Sequence, residues 1–213
     1  MWRSFTGYQN SMIKMIRGLN NIPDTLQRSV ITIGNFDGLH VGHQVLINQL
    51  QTLSVRYKVP SVLVTFEPSP TEFFLGKNAS ARLMRLREKA LAAERHGVDY
   101  LLILRFDKKL ASESPEYFIQ QLVDHLGVKA ILVGDDFRFG AKRVGDFASL
   151  QQLSKQYDFE CVQLAAFGEG ERTSSTRIRQ CLEAGELEKA ADLLGRPYSM
   201  CGRVIHGQKQ GRK

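Results

Sequence analysis

The chain has 213 residues, 43% of them hydrophobic, enough apolar material for one large domain or for a domain with a fragment attached. No apolar run approaches the ~20 residues of a membrane-spanning helix, and no N-terminal segment has the charged, apolar and small-residue zones of a secretory signal. A net charge of +7, from 29 basic and 22 acidic side chains, raises nucleic acid as a partner. Four of those charges (Arg203, Lys209, Arg212 and Lys213) crowd the last eleven residues, and the remaining +3 or so is ordinary for a protein that handles phosphates. Cys161, Cys181 and Cys201 are odd in number and form no CxxC pair, so they read as reduced thiols of a cytoplasmic protein.

Residues 1–11 read as a disordered upstream extension. Met12 to Arg17 has the look of an edge strand. The first clear element is the β-branched run Val30 to Ile33, a buried strand. Gly34 and Gly38 follow, and glycine lets the backbone turn tightly and approach a ligand. Val45, Leu46, Leu50 and Leu53 then fall on one face of a helix. A helix start after a glycine turn offers free N–H groups and the positive dipole end to an anion. His40 and His43, three apart at that start, can face one ligand. Three other readings stand beside this one: a plain turn, a solvated histidine pair, and half of a zinc site. No third and fourth ligand with suitable spacing accompany the pair, the cysteines being distant in the chain.

Pro60 to Phe66 is a second apolar strand, stopped by Glu67-Pro68-Ser69-Pro70, where two prolines disfavour both helix and ladder and predict a stiff loop. Arg82 to His96 has helical periodicity with five basic side chains (Arg82, Arg85, Arg87, Lys89 and Arg95), which read as a solvated face closed by Gly97. Tyr100 to Leu104 is a third strand. Ser114-Pro115-Glu116 opens a helix that ends near Gly127. Lys129 to Val133 is a fourth strand, followed by Gly134-Asp135-Asp136-Phe137-Arg138-Phe139-Gly140. Its two aromatics either anchor the loop or bracket a flat ring system.

Asp146 to Tyr157 is a helix and Glu160 to Leu164 a fifth strand. In Ser174-Ser175-Thr176-Arg177-Ile178-Arg179, a hydroxyl at Ser174 or Ser175 caps a helix and two arginines lie just inside it. Glu186 to Leu194 is a short helix, Gly195 to Tyr198 a linker, and Gly202 to Gly207 the start of another strand. Five alternations of strand and helix predict an α/β fold, a parallel sheet covered on both faces.

The string Gly34-x-Phe36-Asp37-Gly38-x-His40-x-Gly42-His43 resembles the signature of the HxGH nucleotidyltransferases, and with Gly38 that of the prokaryotic bifunctional riboflavin kinase/FAD synthetase family. Three later segments resemble that family's further motifs, in order: Thr65-Phe66-Glu67-Pro68-x-Pro70, Val133-Gly134-x-Asp136-Phe137-x-Phe139-Gly140, and Ser174-Ser175-Thr176-x-Ile178-Arg179. Ser69 stands where the family pattern has His, and relatives can carry Asn in place of Asp136. The resemblance covers residues 12–213. It implies a Rossmann-like five-stranded sheet, a transfer of AMP from ATP to FMN that yields FAD and pyrophosphate, and Mg2+ entering with ATP rather than on a protein metal site.

By the same resemblance, His40 and His43 act on the phosphates, assisted by the turn N–H groups of residues 36–38 and the helix start at Gly42. Gly34, Gly134, Asp136, Ser174, Ser175, Thr176, Arg177 and Arg179 complete the ATP site. Phe66, Glu67, Pro68, Asp136, Phe137 and Phe139 form the flavin side. Residues 12–195 make up the adenylyltransferase domain, and residues 196–213 a linker and first strand of a riboflavin kinase barrel. The implied partners are small molecules, with no nucleic acid and no membrane. Another HxGH enzyme, acting on phosphopantetheine, nicotinamide mononucleotide or glycerol phosphate, is the alternative, and a nucleic-acid-binding module is a more distant one.

Overall fold

The computed structural model describes residues 12–165 and 173–203. The apolar runs become one parallel sheet of β1 (Lys14–Arg17), β2 (Ser29–Ile33), β3 (Ser61–Glu67), β4 (Tyr100–Arg105), β5 (Val128–Gly134) and β6 (Glu160–Leu164). Around it lie α1 (Val41–Tyr57), α2 (Pro70–Leu75), α3 (Leu86–Arg95), α4 (Lys108–Ala111), α5 (Pro115–Leu126), α6 (Phe147–Tyr157), α7 (Ser175–Glu183) and α8 (Leu187–Leu194). The sheet has six strands, not five. Lys14–Arg17 joins its edge through Ile16 opposite Leu102 of β4. Only Ile16 of its four residues is buried, so the segment carries no continuous apolar run to mark it as a full member.

The strand order is β1-β4-β3-β2-β5-β6. Alternation along the strands divides the core in two. Ile31, Val62, Val64, Leu102 and Ile131 meet α5 and α6 on one face, and Val30, Leu63, Leu101 and Ala130 meet α1 and α3 on the other. Helices cover both faces, as a buried parallel sheet requires. From β2 the chain moves outward to β3 and β4, then returns to place β5 on the opposite side of β2. The loops after β2 and β5 diverge at that point, which is where open α/β sheets form their ligand crevice.

Helix starts follow capping chemistry. Ser114, Asp146 and Ser174 each accept a backbone N–H of the third helical residue. Two expectations need correction. Residues 82–85 precede α3 rather than belonging to it. Residues 67–70 are not merely a stiff loop, because α2 begins at Pro70. Proline is tolerated at the first helical position, where its missing N–H has no partner to lose. Ser69 makes this start possible: its hydroxyl accepts from Glu72 N (3.3 Å) while the Glu72 carboxylate accepts from Ser69 N (2.8 Å). The expected extension at 1–11, and the strand expected over 202–207 beyond its first two residues, lie outside the described residues.

Candidate active site

The turn after β2 starts in register, with Gly34 N–H on the Val64 carbonyl (3.0 Å). It then enters left-handed backbone at Phe36 (φ 49°), Gly38 (φ 81°) and Leu39 (φ 44°). Such a conformation costs a non-glycine residue roughly 1–3 kcal/mol and persists only where the surroundings enforce it. Here they do: Phe36 and Leu39 are each 1% exposed and packed into the core. At Gly38 a Cβ would lie 2.8 Å from Leu83 Cδ1, so a side chain there would be strained and would have to displace Leu83.

The turn is also braced from outside. The Asp37 carboxylate accepts from Leu83 N (3.0 Å) and Met84 N (3.1 Å) and pairs with the Arg179 guanidinium. Ser175 Oγ donates to the Asp37 carbonyl (2.7 Å), and Arg196 donates to the Gly38 carbonyl (2.9 Å). Gln44 Nε2 bridges the carbonyls of Leu39 (3.0 Å) and Leu194 (2.8 Å).

His40 caps α1, its Nδ1 accepting the His43 N–H (3.4 Å). The two imidazoles stack, with centroids 3.7 Å apart and planes 18° from parallel. Burial, helped by the electrostatic influence of the neighbouring His40 and of the Lys89 ammonium, holds His43 well below the usual histidine range. At neutral pH its ring is therefore uncharged, and its Nδ1 is buried without a hydrogen-bond partner among the described residues.

A cleft of about 380 Å³ opens here. Gly34, Phe36, Asp37, His40, Gly42 and His43 line one side, and Gly134, Asp136, Phe137, Ser174 and Ser175 line the other. Phe66 is shared with an adjoining recess of about 210 Å³, where Glu67, Thr176 and Arg179 lie beside Asp37 and Ser175. The four motifs, far apart in sequence, thus meet at one sheet edge. Other expected site residues sit elsewhere. Gly38 packs toward Leu83 and Leu194. Phe139 is buried in the core behind Phe137, the two rings stacked 5.2 Å apart. Arg177 gives its N–H to Ser174 Oγ (3.2 Å). Pro68 follows Glu67 through a cis peptide.

Two features escape a reading of the sequence. The basic face of residues 82–95 is not wholly solvated. Lys89 is buried, donating to the Asn35 carbonyl (2.6 Å) and to Thr65 Oγ1 (3.0 Å), and burial pushes its pKa down to about 8. Arg82 is clasped by Glu67 (2.5 Å) and Glu72, and its guanidinium holds the Glu72 carboxyl down to about 2. The second feature is an aromatic group in which Phe66, Phe73 and Phe74 all set their rings against Phe106, with Phe74 67% exposed. The pair Phe73-Phe74 is the only trace of it in the sequence. Among the described residues no cluster of three or more His, Cys, Asp or Glu side chains is arranged to hold a metal ion, and no helix is long and apolar enough to cross a membrane.

A family model described as FAD synthetase matches residues 22–177. The chain belongs to the FAD synthetase family. Among curated proteins it is 46% identical over 202 residues to the bifunctional riboflavin kinase/FMN adenylyltransferase of Haemophilus influenzae, and 46% identical over 203 residues to that of Escherichia coli K12. The protein of the same name from Pseudomonas fluorescens is 44% identical over 204 residues. Each match takes in 94% of this chain but only 65–66% of the relative, so the chain spans just under two thirds of their length. A crystal structure titled a macrolide-efflux protein from Streptococcus pneumoniae shares the fold, with a TM-score of 0.83 at 29% identity over 92% of this chain and 66% of that one. The α/β architecture and the family agree with the four motifs read in the sequence.

Proposed function

We propose that this chain, within residues 12–195, transfers the adenylyl group of ATP to FMN, giving FAD and pyrophosphate. The observation that carries the reading is the stacked pair of His40 and His43 at the start of α1, facing the hydroxyl-bearing start of α7 across the cleft at the sheet's switch point. Two helix starts converging on one cavity form a seat for a polyphosphate. The relatives' names supply the acceptor.

The chemistry needs little from the protein beyond position and charge. The FMN phosphate is already an anion near pH 7, because its second pKa is about 6. One of its oxygens attacks the α-phosphorus of ATP; that P–O bond forms as the α–β bridging bond breaks, and pyrophosphate leaves with the electron pair. Two anions must be held together and the charge growing on the leaving group met by donors. The neutral His43 imidazole and the His40 ring offer N–H groups at the α1 end. Ser174, Ser175, Thr176 and the arginines of α7 serve the distal phosphates. Mg2+ would enter with ATP, held by phosphate oxygens and water; Asp135 and Asp136 are carboxylates on the cleft wall able to join it. Phe66 and Phe137, with Phe74 added from the aromatic group, are the platforms for the flavin ring, and Glu67 and Asp136 its polar neighbours.

ATP as substrate and three cysteines without a disulfide fit a cytoplasmic enzyme. Riboflavin kinase activity, the other half of the relatives' name, is no part of this reading. The test is incubation with FMN, ATP and magnesium followed by chromatography for FAD. Adenylylation of phosphopantetheine, nicotinamide mononucleotide or glycerol phosphate in place of FMN would overturn the reading.

A further inference from the structure

Lys89 leaves α3 toward the sheet and is 7% exposed. Its ammonium donates to the Asn35 carbonyl (2.6 Å) and the Thr65 hydroxyl (3.0 Å), both uncharged acceptors. An ammonium has three N–H donors, and no third partner is present among the described residues. The nearby acids are committed elsewhere: Asp37 to Leu83, Met84 and Arg179, and Glu67 and Glu72 to Arg82. Lys89 also lines the recess beside Ser175, Thr176 and Arg179.

Burying an ammonium without a contacting counterion is costly, and a methionine would fill the same space without that cost. Thr65 Oγ1 already reaches the Asn35 carbonyl (3.4 Å), so the two neutral groups partly satisfy each other without the lysine. Stability alone does not explain the charge.

We propose that Lys89 is a positioning residue of adenylyl transfer, its ammonium holding the Asn35 carbonyl, and so the strained turn at 36–39, against β3 while lending a fixed positive charge behind the two imidazoles. The inference rests on the FMN adenylyltransferase reading. Burial keeps His43 neutral, with the Lys89 charge adding to it; without Lys89 the turn loses the donor that holds the Asn35 carbonyl to Thr65.

The test compares the unmodified chain with Lys89→Met and Lys89→Arg from about pH 6.5 to 10, following kcat, KM for ATP and Tm. The groups facing Lys89 are Asp37 of the turn, Glu67 of β3, Glu72 of α2, Arg82 ahead of α3, Arg179 of α7 and His43 of α1. In that window burial keeps His43 largely neutral, the Glu72–Arg82 pair stays charged, and Lys89 titrates near pH 8. The unmodified chain is expected to lose kcat/KM on an alkaline limb at that pH. Lys89→Met should fold, lower kcat about tenfold or more with KM for ATP changed less than about threefold, and lack the limb. Lys89→Arg should move the limb beyond the window.

The Tm carries its own sign. The folded pKa of about 8 lies below the unfolded 10.5, so the unfolded chain binds more protons between those values and stability rises with pH there. Lys89→Met should abolish that rise. A Lys89→Met enzyme with near-normal kcat and an unshifted limb overturns the proposal. If neither variant folds, the absence of any limb between pH 7.5 and 9.5 in the unmodified chain does so. A chain that makes no FAD at any pH sinks the functional reading instead. The Lys89 proposal is then read from the ATP-induced rise in Tm, which should shrink above about pH 8; a pH-independent rise overturns it.

Discussion

The two sides of the cleft are built differently. On the phosphate side, the turn after β2 is buried, strained and braced by Asp37, Ser175, Arg179 and Arg196 from segments far along the chain. On the side proposed for the acceptor, Arg138 meets Asp146 at the surface (3.3 Å), Arg82 holds Glu67 and Glu72 in a water-accessible cluster, and Phe74 is exposed nearby against Phe106. Stabilising charge in a transition state requires donors fixed in advance. Gripping a flat ring requires only aromatic faces within reach, and these can adjust. Rigidity is concentrated on the side proposed to hold the phosphates.

That contrast can be broken from the phosphate side first. His43→Ala is expected to fold normally and to lose turnover on the order of 10²-fold, the usual effect of removing one preorganised donor; unchanged FAD formation in a single-turnover assay would refute it. Asp37→Asn touches the bracing rather than the chemistry. It removes the charge partner of Arg179 and one acceptor for the 83–84 backbone, at a cost of about 2 kcal/mol, visible as a Tm lower by several degrees with activity falling alongside. On the acceptor side, Phe74→Ala should leave stability within about 0.5 kcal/mol while raising KM for FMN about fivefold, the value of one stacking face. Equal losses of kcat and of FMN binding would erase the distinction between the sides.

The smallest effect concerns acid. The folded Glu72 pKa of about 2 lies below its unfolded 4.5, so its stabilisation is complete above pH 4.5 and is lost as pH falls toward 2. Water screening keeps it under about 1 kcal/mol, and Glu72→Gln should flatten that part of the Tm–pH curve.

Much of this was legible in the sequence. Four strands, β2 to β5, are near-continuous apolar runs and could hardly be hidden, and the glycine turn with its histidines stands out because strand, turn and helix start follow in order. What escaped has physical reasons. Lys89 is written like its solvated neighbours, and only the depth of α3 against the sheet decides that its ammonium points inward. Asp37 lies inside the motif, yet its carboxylate serves backbone N–H groups 46 and 47 residues away, a separation no local pattern reports. The prolines around Ser69 concealed a capping box because proline's veto on helix lapses at the first position. The edge strand read at 12–17 is β1, left out of the count of five because three of its four residues are exposed.

Gln44 and Arg196 tie the first turn to the end of α8, across 150 residues in one case and 158 in the other. Proteins are made from the N-terminus at roughly 5–20 residues per second. The ribosome therefore delivers the histidines many seconds before the segments that hold their turn in shape. During that interval the strands already emerged can pair and bury their side chains, while the strained turn has its core packing and the 83–84 backbone but not the ties from α7, α8 and Arg196. Full bracing of the turn is thus acquired late in synthesis, and a nascent chain halted after β6 lacks the α7 and α8 side of the cleft.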